Sequence, residues 1–376
     1  MALTNIRGLY PHLKQDGVYF NHAAMGPMNI LTQKAIDVYV KGRTIQPIDP
    51  FAQYLEWSNL LKENLSEMLN CTPDRLAWTD CVGNAMNMVA QGLEWNKDDH
   101  IILNDLEFPS NVYPFLNLEK QRVKVEIVST ENGVVSIEKI EAAITPKTKL
   151  ISISHVQFLT GYRMDLVRLG EICKKHGIIF CVDVIQSSGV VPIDVEKMNI
   201  DFLAGGSHKW LMALIGLGYF YISEELQSKI NQKYVGWTSV NDMWNLLDYN
   251  IEFREGADRF QNGGHSFIGV VALSASLQIL MQIGIEKIEE SILSNTDYLI
   301  NSLSELGYNS ILKYLPEENR AGIVSIKLDN AEKLSEALSK INVTVAVRQG
   351  ILRMSPHYYN TKEDIDEFIA RLKSVL

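Results

Sequence analysis

Between residues 75 and 222 seven short apolar runs recur: "RLAWT", "HIILND", "VKVEIV", "KLISIS", "GIIFCVDV", "IDFLAG" and "GLGYFYI". The stretches between them include 84–93 and 166–176, where apolar residues return every third or fourth position, the period of a helix with one buried face. Strands that read as unbroken Val, Ile and Leu must be covered on both faces. A helix between successive strands lets them run parallel. The pattern predicts an α/β fold with a mainly parallel sheet.

Beyond residue 222 the rhythm changes. Residues 237–262 are irregular and rich in Trp, Asn and Asp, and a long helical region follows over 267–306, with a break expected at Gly284. After it come "GIVSIKL", a helix over 332–340, "VTVAVRQG", "ILRMSP" and a last helix opened by "TKED" at Thr361, a capping signature. A chain of 376 residues has room for two such units. The expected division is a large domain over 21–266 and a smaller α+β domain over 267–376, with segment 1–20 packing on the smaller one.

A formal net charge of -10 argues against nucleic acid or an anionic membrane as partner, since phosphates attract basic surfaces. Cys71, Cys81, Cys173 and Cys181 form no CxxC pair or other metal-ligand spacing, so no metal is expected and the thiols read as reduced. No basic end followed by an apolar core opens the chain, and the longest apolar run, 210–222, is short and interrupted by Gly216 and Gly218. A soluble, cytoplasmic protein is expected.

Against that background one lysine stands out. In "DFLAGGSHKWLMALIGLGYFYI" Lys209 is the only basic group besides His208, and a desolvated amine is costly unless it is paired or chemically committed. Ligands of open α/β sheets bind at the carboxyl ends of strands. "GIIFCVDV" puts Asp183 near one such end, and "IDFLAGGSHK" puts Lys209 just beyond the next. Asp183, Gln186, Ser207, His208 and Lys209 therefore face one crevice. An amine with a carboxylate nearby suits pyridoxal phosphate: the lysine forms an imine with the aldehyde, and the carboxylate keeps the ring nitrogen protonated. Gln186 can reach the ring hydroxyl. The Gly-containing turn at 81–83 leads into a helix whose free N–H groups favour a phosphate, and Ser207 and His208 can add donors. Asp183 as a helix cap and Phe108 as plain core are the structural alternatives.

"DVIQSSGVVPIDVEKMNIDFLAGGSHK" resembles the signature of the class V aminotransferases, a group of fold-type I pyridoxal-phosphate enzymes that includes cysteine desulfurases, kynureninases and isopenicillin-N-epimerase-like proteins. "VYFNHAAMGPMN", "WTDCVGNAMN", "LEFPSNVYPF", "SHVQFLTGYRMDLVRLG", "RFQNGGHSFIGVVAL" and "LRMSPHYYNTKEDID" follow in that family's order. The resemblance implies a seven-stranded large domain and a homodimer with shared sites. It makes Lys209 the imine-forming residue, Asp183 the partner of the ring nitrogen and Gln186 the neighbour of the ring oxygen. Phe108 takes the ring-stacking place, and Val82, Gly83, Ser207 and His208 take phosphate places. Arg353 clamps the substrate carboxylate, and His22 and Ala24 lie in the substrate segment. Arg163, Arg348 and His357 are further pocket candidates that read as structural.

Departures from the family pattern narrow the function. The phosphate turn is "CVG" where hydroxyls are usual. Phe158 stands where desulfurases have asparagine, which leaves Gln157 or Thr160 to approach the ring hydroxyl. Gly264 replaces the threonine that reaches the partner subunit's phosphate, with His265 or Ser266 to compensate. No cysteine follows Cys181, whereas desulfurases carry a nucleophilic cysteine shortly before the clamp arginine. The expected activity is chemistry at the α-carbon of an amino acid: transamination, epimerisation or β-elimination. Selenocysteine or cysteine lyase or desulfurase-like activity is the alternative, and a catalytically silent cofactor-binding protein is a third reading.

Overall fold

The computed structural model describes residues 6–376. Its strands in chain order are β1 (Val18–Tyr19), β2 (Leu76–Thr79), β3 (His100–Asn104), β4 (Lys124–Val128), β5 (Thr148–Ser154), β6 (Ile179–Asp183), β7 (Phe202–Gly206), β8 (Gly218–Ile222), β9 (Val324–Lys327), β10 (Val343–Thr344), β11 (Ala346–Arg348) and β12 (Ile351–Met354).

Every apolar run read from the sequence becomes a strand of one seven-stranded sheet, ordered β2-β8-β7-β6-β5-β3-β4. Only β8 runs against its neighbours β2 and β7; the remaining pairings are parallel. The central strands are buried except at Lys149 near the start of β5, as covering by helices on both faces requires. Because β2, β3, β5, β6 and β7 share one direction, the segments that follow them emerge at one edge. Register tightens this convergence: Ser154 lies opposite Asp183, and Asp183 opposite Ala204.

The smaller unit holds an antiparallel sheet, β11-β12-β9, and a β1-β10 ribbon. Helices Ile285–Glu305, Ala331–Ser339 and Lys362–Val375 cover it through Leu299, Leu334, Leu338, Phe368 and Leu372. Thr361 and Asp364 form the expected capping box. The described part of the N-terminal segment lies against this unit; residues 1–5 fall outside the described residues. Val18 and Phe20 join its core, Tyr10 stacks on Tyr359 with ring centroids 4.0 Å apart, and Arg7 pairs with Asp364 at 2.7 Å.

The boundary drawn at residue 266 shifts. Helix Phe267–Ile283 is buried on nearly every side and packs on helices Ile30–Thr44 and Phe51–Leu69, with Phe267 stacked on Tyr54 at 3.9 Å. It belongs to the layer over the large sheet. The chain bends by 81° at Gly284, whose φ of 94° suits glycine, before it enters the smaller unit. Among the described residues no single helix is long and apolar enough to cross a membrane.

Candidate active site

Asp183 ends β6 and is buried. Its Oδ1 accepts the Ile185 N–H at 2.9 Å, a local turn contact that leaves the carboxylate within the crevice. Burial raises its pKa and the nearby Glu107 adds to this, while the Ile185 N–H and Lys209 oppose it. Lys209 follows β7. Desolvation lowers its pKa and the charges of Arg353 and Arg348 push the same way, against the pull of Asp183. Each group is thus driven toward its neutral form, and each limits the shift of the other.

The Lys209 ammonium stands 5.6 Å from the centroid of the Phe108 ring. That ring is 42% exposed, so Phe108 is no core residue: it is a partly open aromatic ring set beside the amine. Phe158, in the place of the family asparagine, packs edge-on to it at 5.2 Å and 81°. The lysine loop is held from below by Gly26, whose N–H donates to the His208 carbonyl at 2.8 Å. A Cβ at Gly26 would come within 2.1 Å of the Lys209 carbonyl oxygen, so only glycine lets the two segments approach.

Helix Val82–Gly92 starts without a side-chain cap, since Cys81 at its N-cap makes no capping bond. The Val82 side chain is buried, so Val82 and Gly83 have backbone N–H groups to offer an anion. His208 is half-buried; desolvation and Lys209 lower its pKa to about 4, which leaves a neutral imidazole as donor. Ser207 departs from expectation: its buried hydroxyl donates to the chain's own Leu214 and Leu217 carbonyls and serves the loop, not a phosphate. Within the single chain Ser266 is the N-cap of helix Phe267–Ile283, accepting the Gly269 N–H at 3.2 Å, while His265 Nε2 beside it has no partner.

Gln186 is tied at both ends, donating to the Ala23 carbonyl at 3.0 Å and accepting from Trp210 Nε1 at 2.8 Å; one N–H of its amide remains for a ring oxygen. Thr160 donates to the Gly133 carbonyl at 3.0 Å. Gln157 donates to Glu107 at 2.8 Å, and its buried Oε1 has no partner.

On the substrate side Arg353, in β12, is only 2% exposed. It donates from Nη1 to the Phe158 carbonyl at 2.7 Å, its Nε has no partner, and no carboxylate pairs with it among the described residues. Burial and Arg348 lower its pKa to about 10. A buried guanidinium without a counter-ion is an anion site. His22 departs from expectation. Its Nδ1 meets the Ser355 carbonyl at 2.8 Å and its Nε2 the Tyr359 hydroxyl at 2.5 Å. Both nitrogens are thereby engaged, and burial pushes its pKa well down. Ala24 is half-buried and its N–H donates to the Asn21 carbonyl at 3.0 Å. Arg163 pairs with Glu289 at 2.5 Å and His357 meets the Trp210 carbonyl at 3.0 Å.

Sequence reasoning passed over Glu107. Buried just before Phe108, its carboxylate accepts from Asn104 at 2.5 Å, Asn111 at 2.8 Å, the Ser154 N–H at 2.8 Å and hydroxyl at 2.5 Å, and Gln157 at 2.8 Å. It ties the segments after β3 and β5 together under the aromatic face. The available signal was a carboxylate flanked by Asn104 and Asn111 at helical-turn spacing in "NDLEFPSN".

These residues fit pyridoxal phosphate: an uncapped helix start, a partly exposed aromatic ring, a buried carboxylate beside a buried amine, and unpartnered polar atoms on Gln157 and Arg353. The sequence profile of the class V aminotransferases matches residues 52–368. The chain belongs to the class V aminotransferase family. Its cofactor is that family's, pyridoxal phosphate. An uncharacterized aminotransferase of Bacillus subtilis (strain 168), YcbU, is 28% identical over 84% of this chain and 84% of its own length. A probable cysteine desulfurase of Methanothermobacter thermautotrophicus is 27% identical over 97% of this chain and 96% of its own. Two solved structures share the class V fold. The apo cysteine desulfurase of Thermococcus onnurineus NA1 superposes with a TM-score of 0.89 at 23% identity, covering 99% of this chain and 98% of that one. The cystine C–S lyase C-DES, in complex with its product cysteine persulfide, gives 0.88 at 24% identity, covering 97% and 99%.

Proposed function

We propose that this class V enzyme moves the α-proton of an α-amino acid, leading to transamination, epimerisation or β-elimination, and that it does so without forming a persulfide on its own cysteines. The observation that carries the reading is the buried guanidinium of Arg353, which has no carboxylate partner among the described residues and acts on the same crevice as Lys209. Bound pyridoxal phosphate supplies an aldehyde for the amino group and a protonated ring that withdraws electrons from the α-carbon. The chain does the rest. Arg353 takes the α-carboxylate through its bidentate fork and so orients the α-carbon. Lys209, its pKa lowered by burial, is more often neutral than an ordinary lysine, so it would hold the cofactor through its aldehyde and would be able to take up the α-proton. Asp183 supplies the charge partner for the ring nitrogen. Phe108 offers the face for the ring, and Val82, Gly83 and His208 offer donors for the phosphate.

All four cysteines are free. Burial raises the pKa of Cys71, to about 12, and raises those of Cys81, Cys173 and Cys181 as well. A persulfide-forming nucleophile must be a thiolate close to the substrate sulfur, and neither condition is met beside Arg353, where the β11–β12 hairpin carries no cysteine. The free thiols support the proposal of a cytoplasmic location. A homodimer that shares its sites is proposed from the exposed Met25, Met28, Val38, Trp244 and Leu247 and the unpartnered His265 Nε2. Incubating the cofactor-loaded protein with L- and D-amino acids, cysteine included, and assaying keto acid, ammonia, sulfide and protein-bound persulfide tests the reading. Keto acid or ammonia that disappears in Lys209→Ala supports it; a persulfide on any of the four cysteines contradicts it.

A further inference from the structure

Arg353 does not stand alone on its sheet. In the β11–β12 pairing Ala346 lies directly opposite Arg353 and Arg348 opposite Ile351. Arg348, two residues along β11 from Ala346, therefore projects from the same face as Arg353, its diagonal neighbour. The turn between the strands is tight: Gln349 and Gly350 both have positive φ, 52° and 71°, the two-residue form that pins hairpin register. The backbone under Arg348 is thus fixed, while its side chain is exposed and its one recorded bond goes to the neighbouring Val347 carbonyl at 2.7 Å.

Like charges on diagonal neighbours repel, and elsewhere in the smaller unit arginines meet carboxylates: Arg320 with Asp297, and Arg371 with Asp16 and Glu367. Arg348 and Arg353 have no such partner among the described residues. Their charges act on Lys209, and that of Arg348 acts on Arg353. Of the two carboxylates that act on the crevice, Asp183 serves the ring nitrogen and Glu107 is saturated by its own donors. The substrate side of the crevice is therefore cationic beyond what one α-carboxylate neutralises.

We infer that the preferred substrates are α-amino acids whose side chain carries a second anionic group, which Arg348 binds while Arg353 holds the α-carboxylate. The inference rests on the cofactor and clamp assignments above and names the substrate class of that same site. A short side chain such as that of aspartate or glutamate separates two acidic groups by a span that two long arginine side chains, rooted on diagonal neighbours, can close upon. Neutral amino acids occupy the clamp and leave Arg348 to solvent.

The test uses the pyridoxal-phosphate-loaded protein and follows the shift in its visible absorbance as L-aspartate, L-asparagine, L-glutamate and L-glutamine are titrated. Each acid differs from its amide in little but charge. The acids are expected to bind about tenfold or more tightly than their amides. Arg348→Gln is expected to bring acid and amide to within about twofold of each other, and Arg353→Gln to weaken all four. Retained visible absorbance in each variant reports an intact, loaded site. Equal affinity for acids and amides in the parent protein, or a preference that survives Arg348→Gln, overturns the inference and leaves the cofactor assignment standing. A parent protein that never acquires visible absorbance overturns both.

Discussion

At Lys209 and Arg353 the energetics of single groups set the chemistry. Desolvation brings the Lys209 amine below its ordinary 10.5, so its neutral fraction at a given pH exceeds that of a free lysine. Capture of pyridoxal phosphate by the apo-protein should therefore speed up as pH rises from 6 and level off before 10.5, as stopped-flow absorbance would show; a profile that climbs unbroken through 10.5 would mark a solvated amine. Arg353→Lys keeps a charge but loses the fork, and should weaken amino-acid binding by about tenfold to a hundredfold with cofactor absorbance intact. The neighbourhood of Lys209 and Asp183 was legible in the sequence because both lie at or just beyond strand ends of one mainly parallel sheet; the roles given to them and to Arg353 are those proposed above. The partners of Ser207 and His22 were not, since residue type does not say whether a hydroxyl or an imidazole turns toward the crevice or toward the chain's own carbonyls. Glu107 was hidden for a related reason: its donors come from two separate segments, and only folding brings them to one carboxylate.

Elements position these groups through close backbone approaches. Gly26 packs against the lysine loop with no room for a methyl group, since an added Cβ would sit 2.1 Å from the Lys209 carbonyl and 2.6 Å from Met212 Cγ. Gly26→Ala must displace that loop, and we expect about 1–3 kcal/mol of lost stability by urea unfolding together with at least about tenfold weaker cofactor binding. Unchanged affinity would mean that the loop is not what holds the amine in place. Periodicity revealed the strands and the capped last helix, but it could not assign Phe267–Ile283 to a layer. A helix apolar all round has no single face to point at its partner, so the aromatic contact of Phe267 with Tyr54 had to come from the structure.

For the whole molecule the buried histidines matter most outside the site. Burial lowers the pKa of His155 to about 3 and of His357 to about 4, and pushes His22 well below 6.5. Below pH 6.5 the unfolded chain takes up protons at these positions and the folded chain does not, so stability falls as pH falls. Each group contributes up to about 1.4 kcal/mol per pH unit until its folded value is reached. Asp183 and Asp201, their pKa values raised by burial, act in the opposite sense, but the histidines lowered by burial outnumber them, since His12, His100, His208 and His265 are lowered as well. Urea midpoints of the apo-protein should drop between pH 6.5 and about 4; a flat profile would mean that the histidines are not buried neutral. The seven-stranded sheet was readable because its runs are continuous and evenly separated. The most direct test of the account is chemical trapping. Pyridoxal phosphate is added to the apo-protein, the imine is reduced with borohydride, and the modified peptide is mapped by mass spectrometry. The account predicts a single modification, at Lys209; label spread over the exposed lysines, or none at all, would contradict it.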